Sequence, residues 1–206
     1  MDSKPAIRAV IWDLGGVILR TEDYVPRQQL ADKLGISPAE LEKVVFDSDT
    51  AIQATLGQVT EIQHWASIAD HFHLSEEGLT EFRELFWSGD RADLELMDLI
   101  KRLRKSFCTG LLSNAWDGAR HIINHRYFLL EDAFDVAVFS AEVGLAKPDP
   151  QIYHFILQKL GVVAEEAVFI DDSIGNVEAA RKVGLQTVHF RRSQVAMMEL
   201  DRLLAR

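Results

Sequence analysis

The chain has 206 residues, 48% hydrophobic and 26% charged, with 32 acidic against 22 basic side chains and a formal net charge of −10. That length suits one large domain or a domain carrying an insertion, and the composition excludes intrinsic disorder. An acidic chain without a basic cluster is a poor match for nucleic acid phosphates or an anionic membrane, so neither is expected as a partner. The one cysteine, Cys108, excludes an intrachain disulfide and any multi-cysteine metal site. No run approaches the ~18 apolar residues of a membrane span. The first apolar run meets Asp13 too soon for a signal-peptide core. The expected location is the cytoplasm, and the expected state a monomer or homodimer.

The first predicted strand is the apolar run Ile7 to Trp12. The next apolar run opens only at Cys108, an interval far too long for one crossover, and the interval itself reads as helical. Ser37-Pro38-Ala39-Glu40 and Thr60-Glu61-Ile62-Gln63 are capping boxes. Ile62, Trp65, Ala66 and Ala69 form one apolar stripe, and Leu79, Phe82, Leu85 and Phe86 form another. Residues 21–88 are therefore expected to be a helical subdomain inserted after the first strand, with residues 1–20 and 89–206 as the core domain.

Beyond the insertion, Leu96, Met97, Ile100 and Leu103 recur at helical spacing. Cys108 to Leu112 and Val136 to Phe139 are further apolar strands. Asp149-Pro150 supplies an N-cap and a first-turn proline for a helix carrying Ile152, Phe155, Ile156 and Leu160. Ala167 to Ile170 is the fourth apolar strand. Ser173 is expected to cap a helix over 174–183 that ends at Gly184. Gln186 to Phe190 alternates and reads as an edge strand. Continuous apolar strands suit a sheet covered on both faces. Their alternation with helices predicts an α/β fold, a Rossmann-like parallel sheet with right-handed crossovers.

The polar clusters fall at strand ends. Asp13 follows the first strand, Ser113-Asn114 the second, and Asp171-Asp172 the fourth, while Lys147 lies in the loop after the third. Open parallel sheets bind ligands outside the carboxyl ends of their strands. Carboxylates from two strands can hold a hard cation such as Mg²⁺. A hydroxyl, backbone N–H groups and a lysine can hold a phosphoryl group.

The ordered set Asp-Leu-Gly-Gly-Val, Leu-Leu-Ser-Asn, Lys-Pro-Asp-Pro and Ile-Asp-Asp-Ser resembles the haloacid dehalogenase superfamily across the whole chain. Within it, the chain looks most like the small phosphatases that include sugar-1-phosphate phosphatases and the phosphatase domain of epoxide hydrolases. The resemblance implies that the fourth-motif strand lies beside the first. It implies a Mg²⁺-dependent phosphatase acting on a small phosphorylated metabolite, a sugar phosphate being one option, with Asp13 as the nucleophile. Asp13, the Gly15 carbonyl and Asp172 would bind the metal, with Asp171 as a second or outer ligand braced by Asn176. Ser113, the Asn114 backbone N–H and Lys147 would hold the phosphoryl group. In this family the turn between two cap helices often selects substrate, which points to Gln58.

One position departs from the pattern. Phosphatases of this family usually carry a second aspartate two residues after the nucleophile, as the acid and base of the reaction; here that residue is Gly15. Two other functions compete. A 2-haloacid dehalogenase would use the same aspartate on carbon, but Asp171-Asp172 and Gly15 differ from that pattern. A catalytically weak binding or regulatory protein has only Gly15 in its favour. His71 and His73, two apart, do not share a helix face, so no zinc site is expected with His64. Trp116 and Arg120 are expected on one face of the helix after the second motif.

Overall fold

The structure is a computed structural model and describes residues 5–127, 130 and 132–205. In chain order the elements begin with β1 (Ala9–Trp12), β2 (Leu19–Thr21), α1 (Val25–Leu34), α2 (Pro38–Phe46), α3 (Asp49–Thr55), α4 (Glu61–Phe72) and α5 (Glu76–Ser88). They continue with β3 (Asp90–Ala92), α6 (Leu94–Leu103), β4 (Cys108–Ser113), α7 (Ala119–Tyr127), β5 (Val136–Phe139) and α8 (Ser140–Val143). The chain closes with α9 (Pro150–Leu160), β6 (Ala167–Asp171), α10 (Ile174–Val183), β7 (Gln186–His189) and α11 (Ser193–Leu204).

Five strands form one parallel sheet in the order β5-β4-β1-β6-β7. β1 lies at its centre, and its apolar run alternates between two cores. Val10 and Trp12 pack on one face with residues of α6 and α11, while Ala9 and Ile11 pack on the other with residues of α9 and α10. Every side chain of β1 is thereby buried, which is why the strand reads as unbroken apolar sequence. β6 pairs directly with β1, Trp12 opposite Ile170, so the two strands end side by side.

Between β1 and β4 the chain leaves the sheet. β2 and β3 pair antiparallel as a short ribbon, and α1 to α5 lie between them. This ribbon was not expected: three residues per strand, with Asp90 and Arg91 among them, carry no strand periodicity. Four of the five helices, α1, α2, α4 and α5, bury a core of their own around Leu30, Leu41, Trp65, Phe82 and Phe86. Both capping boxes form as read, Ser37 with Glu40 and Thr60 with Gln63. The α4 stripe is displaced. Ile62 is 79% exposed, and His64, Trp65 and Ile68 are the buried residues. His64 takes a core place because both ring nitrogens have partners, Nδ1 with Thr50 Oγ1 and Nε2 with the Val45 carbonyl, each at 2.9 Å. Among the described residues, no helix is long and apolar enough to cross a membrane.

Candidate active site

The sheet brings the sequence's polar clusters to one edge. The Asp13 backbone N–H donates to the Ile170 carbonyl at 2.9 Å, continuing the β1–β6 ladder by one step. That step sets Asp13 beside Asp171 and Asp172, and one carboxylate oxygen from each lies within 4.8 Å of the others. Lys147, from the loop between α8 and α9, reaches into this group. Its Nζ lies 2.7 Å from Asp13 Oδ1 and 2.7 Å from Asp171 Oδ2. Asp13, Lys147 and Asp171 are buried, whereas Asp172 is exposed.

Burial pushes the Asp13 carboxyl up to about 7, helped by the Asp171 charge and opposed by Lys147 and the Leu14 N–H. Burial also opposes the Lys147 charge, but Asp13 and Asp171 outweigh it and raise the ammonium above its ordinary value. Desolvation and the adjacent Asp171 raise the Asp172 carboxyl. Asp171 is saturated from within. It accepts from Lys147, from the Ser173 backbone N–H at 2.8 Å, and from Asn176 Nδ2 at 3.1 Å on both oxygens. Its evident work is to hold Lys147. Ser173 stands at the N-cap of α10, but its hydroxyl makes no capping bond; its N–H serves Asp171 instead.

Fully ionised, the three carboxylates outnumber the one ammonium by two charges, the charge of one Mg²⁺. The cluster offers oxygen ligands only, as that ion prefers. The donor set therefore fits Mg²⁺, with Asp13 and Asp172 as the carboxylates least engaged elsewhere.

Ser113 ends β4 and is buried, and the next residue fastens the loop to Lys147. Asn114 Nδ2 donates to the Lys147 carbonyl and Asn114 Oδ1 accepts from the Lys147 N–H, both at 2.8 Å. The Asn114 side chain is thus committed to the scaffold. Sequence reasoning missed Ser140, whose fully buried hydroxyl accepts from the Ala115 N–H at 2.9 Å and donates to the Ala115 carbonyl at 3.1 Å. A serine at the end of an apolar strand was the available signal.

Gly16 was also missed. It has φ +73°, and a Cβ there would lie 2.0 Å from Asp172 Oδ2. Gly15 differs: it is exposed, and nothing lies within 4 Å of a Cβ placed on it.

These groups open on a cleft of about 1360 Å³ lined by Gly15, Ser113, Asn114, Lys147 and Asp172, with walls from α1 to α5. Gln58 is exposed and lies outside that lining; Leu56, two residues earlier, is in it. Gly57, at φ +68°, fits its turn closely against the Ala141 carbonyl of α8. Trp116 and Arg120 do not share a helix face. Trp116 precedes α7 and packs among the aromatic rings of α2, α4 and α5. Arg120 pairs with Glu142 and donates to the Ala137 carbonyl.

Carboxylates at the ends of two neighbouring parallel strands, joined by a buried lysine, form the arrangement expected of a hydrolase of the haloacid dehalogenase type. The haloacid dehalogenase-like hydrolase family matches residues 7–184, and the chain belongs to it. Bifunctional epoxide hydrolase 2 of Rattus norvegicus is 32% identical over 141 residues, 67% of this chain; the match spans 25% of that longer protein. D-ribitol-5-phosphate phosphatase of Bacteroides thetaiotaomicron is 27% identical over 197 residues, covering 88% of this chain and 90% of that one. A structure of a HAD family enzyme from Bacteroides thetaiotaomicron, in complex with magnesium and inorganic phosphate, is 25% identical with a TM-score of 0.75, covering 91% of this chain and 96% of that chain.

Proposed function

We propose that this chain is a Mg²⁺-dependent phosphomonoesterase acting on a small phosphorylated metabolite through an aspartyl-phosphate on Asp13. The observation that carries the reading is the Lys147 ammonium, held 2.7 Å from both Asp13 and Asp171 beside a third carboxylate at the cleft. Phosphatases among the relatives, and magnesium with phosphate in a structural neighbour, support it. Residues 21–88 serve as the cap over a core of residues 1–20 and 89–206.

Asp13, Asp172 and the Gly15 carbonyl hold the metal, with Asp171 behind them. Bound Mg²⁺ supplies charge to offset the phosphoryl oxygens and the carboxylates. The Ser113 hydroxyl, the Asn114 backbone N–H and the Lys147 ammonium orient the phosphoryl group. An Asp13 carboxylate oxygen attacks phosphorus; the new O–P bond forms as the bond to the alcohol oxygen breaks. Gly15 supplies no proton, so the departing alkoxide takes one from water. A second water then cleaves the acyl phosphate, releasing inorganic phosphate and restoring Asp13.

The test is release of inorganic phosphate from p-nitrophenyl phosphate with Mg²⁺ and with EDTA, beside halide release from a 2-haloacid. Mg²⁺-dependent phosphate release is expected. Halide release that persists in EDTA, without phosphatase activity, overturns the proposal in favour of a dehalogenase.

A further inference from the structure

The cleft is larger and more apolar than phosphate binding requires. Its volume of about 1360 Å³ exceeds the roughly 300–1,000 Å³ usual for small-molecule sites. The phosphoryl end is polar, with Ser113, Lys147 and Asp172 in the lining. Another part of the wall carries Tyr24, Phe46, Ile52, Leu56, Trp87 and Trp116. Phe46, Trp87 and Trp116 form a triad of rings, with centroids 5.9, 6.2 and 6.4 Å apart. Tyr24, Phe46 and Ile52 leave 62%, 40% and 52% of their surface exposed. Apolar surface kept in water on the wall of a cleft marks a ligand site.

Three of the arginines in the lining are occupied. Arg27 is paired with Glu42 and Asp90, Arg83 with Glu61, and Arg20 with Glu22 and Asp93. A polyol seated on the rings themselves would desolvate its hydroxyls without gaining equivalent partners there. Trp116 lies three residues after Ser113, so one loop joins the phosphoryl site to the ring triad.

Resting on the phosphatase reading above, we infer that the alcohol portion of the substrate is a bulky apolar skeleton of about eight or more carbons, seated on the wall formed by Phe46, Ile52, Trp87 and Trp116. The phosphate enters beside Ser113 and Lys147, and the carbon skeleton extends across the rings. A sugar phosphate, the option open from sequence, fits this lining poorly.

The test uses a series of unbranched primary alkyl phosphates, from ethyl to octyl, below their micelle-forming concentrations and at fixed Mg²⁺. The leaving alcohols have nearly equal pKa, so chain length reports binding of the alkyl group rather than departure of oxygen. kcat/KM is expected to rise about two- to fourfold per added methylene, the scale of burying one CH₂ group. Hexyl phosphate should exceed glucose 6-phosphate. Ile52→Ser and Trp87→Ala, in folded protein, should each lower the octyl-to-ethyl ratio about tenfold. A flat series, or preference for glucose 6-phosphate, overturns the inference while leaving the phosphatase reading intact if p-nitrophenyl phosphate is still hydrolysed. No phosphate release from any of these compounds with Mg²⁺ overturns both.

Discussion

The Asp172 carboxylate lies directly against Gly16, where a Cβ would meet its Oδ2 at 2.0 Å. One glycine in the turn after β1 thus leaves room for a carboxylate delivered from the end of β6. Its φ of +73° is also a conformation that side chains disfavour. Gly16→Ala must move either the turn or Asp172. Activity at saturating substrate should fall at least about tenfold, and the Mg²⁺ needed for half-maximal activity should rise. The melting temperature should fall only modestly. A Mg²⁺ titration unchanged from wild type would show that Asp172 is not placed by this contact.

Asp13→Asn keeps the shape of the side chain proposed as nucleophile and removes its charge. Phosphate release should drop to background while circular dichroism stays native. Wild-type turnover in the purified variant would remove Asp13 from the reaction.

The two acids of the fourth motif should separate by readout. Asp171 is fully buried and holds Lys147, so Asp171→Ala leaves an ammonium short of one partner inside the protein. Breaking such a pair costs about 3–5 kcal/mol. Asp171→Ala should therefore lower stability sharply, as measured by denaturant or thermal unfolding. Asp172 is exposed and makes no ion pair among the described residues. Asp172→Ala should leave stability near wild type and raise the Mg²⁺ requirement. Equal effects of both variants on stability would contradict this division.

The sheet was legible because β1, β4 and β6 are buried on both faces, and the polar residues that interrupt them mark the strand ends. Asp13, Ser113 and Asp171 stand out for that reason, whereas Lys147, in the loop between α8 and α9, is marked by the Lys-Pro-Asp-Pro motif. The helical region was harder. Its α4 stripe was misplaced because His64 counts as polar in a periodicity reading yet is buried once Thr50 and Val45 satisfy its ring. Gln58 is exposed outside the cleft lining while Leu56 is in it, and how this turn sits follows from the packing of Gly57 on Ala141, a contact between distant segments. Gly16 and Ser140 act through such contacts too.

His64 also makes stability depend on pH. Burial lowers its pKa below the usual 6.5. The unfolded chain then binds a proton that the folded chain resists, so unfolding becomes easier as pH falls. The contribution is present above the unfolded value and is lost as pH drops below about 6.5. Between pH 7.5 and 5.5 the wild-type melting temperature should fall more steeply than that of His64→Gln. Parallel curves would mean that His64 is protonated equally in both states.

Gly15 is where this chain departs from the phosphatase pattern that its motifs resemble, and the structure leaves that position open. It is exposed on the cleft, has no positive φ, and has no neighbour within 4 Å of the point a Cβ would occupy. An aspartate there would be tolerated by the backbone and would face the reacting groups. Neighbouring carboxylates would raise its pKa, favouring the protonated form that donates to a leaving oxygen. General acid catalysis is worth roughly 10²- to 10⁴-fold when well placed. Gly15→Asp should therefore raise activity on alkyl phosphates about tenfold or more and do little for p-nitrophenyl phosphate, which needs no acid. In wild type, log kcat/KM across substituted phenyl phosphates should fall steeply as leaving-group pKa rises; in the variant the line should flatten. His64 cannot supply the wild-type proton, since it is buried with both nitrogens engaged, and Gln58 lies outside the cleft lining. A flat wild-type line, in a step shown to be chemical, would point to another donor on the cleft wall. Parallel lines for the two proteins would show that a carboxylate at position 15 does not reach the leaving oxygen.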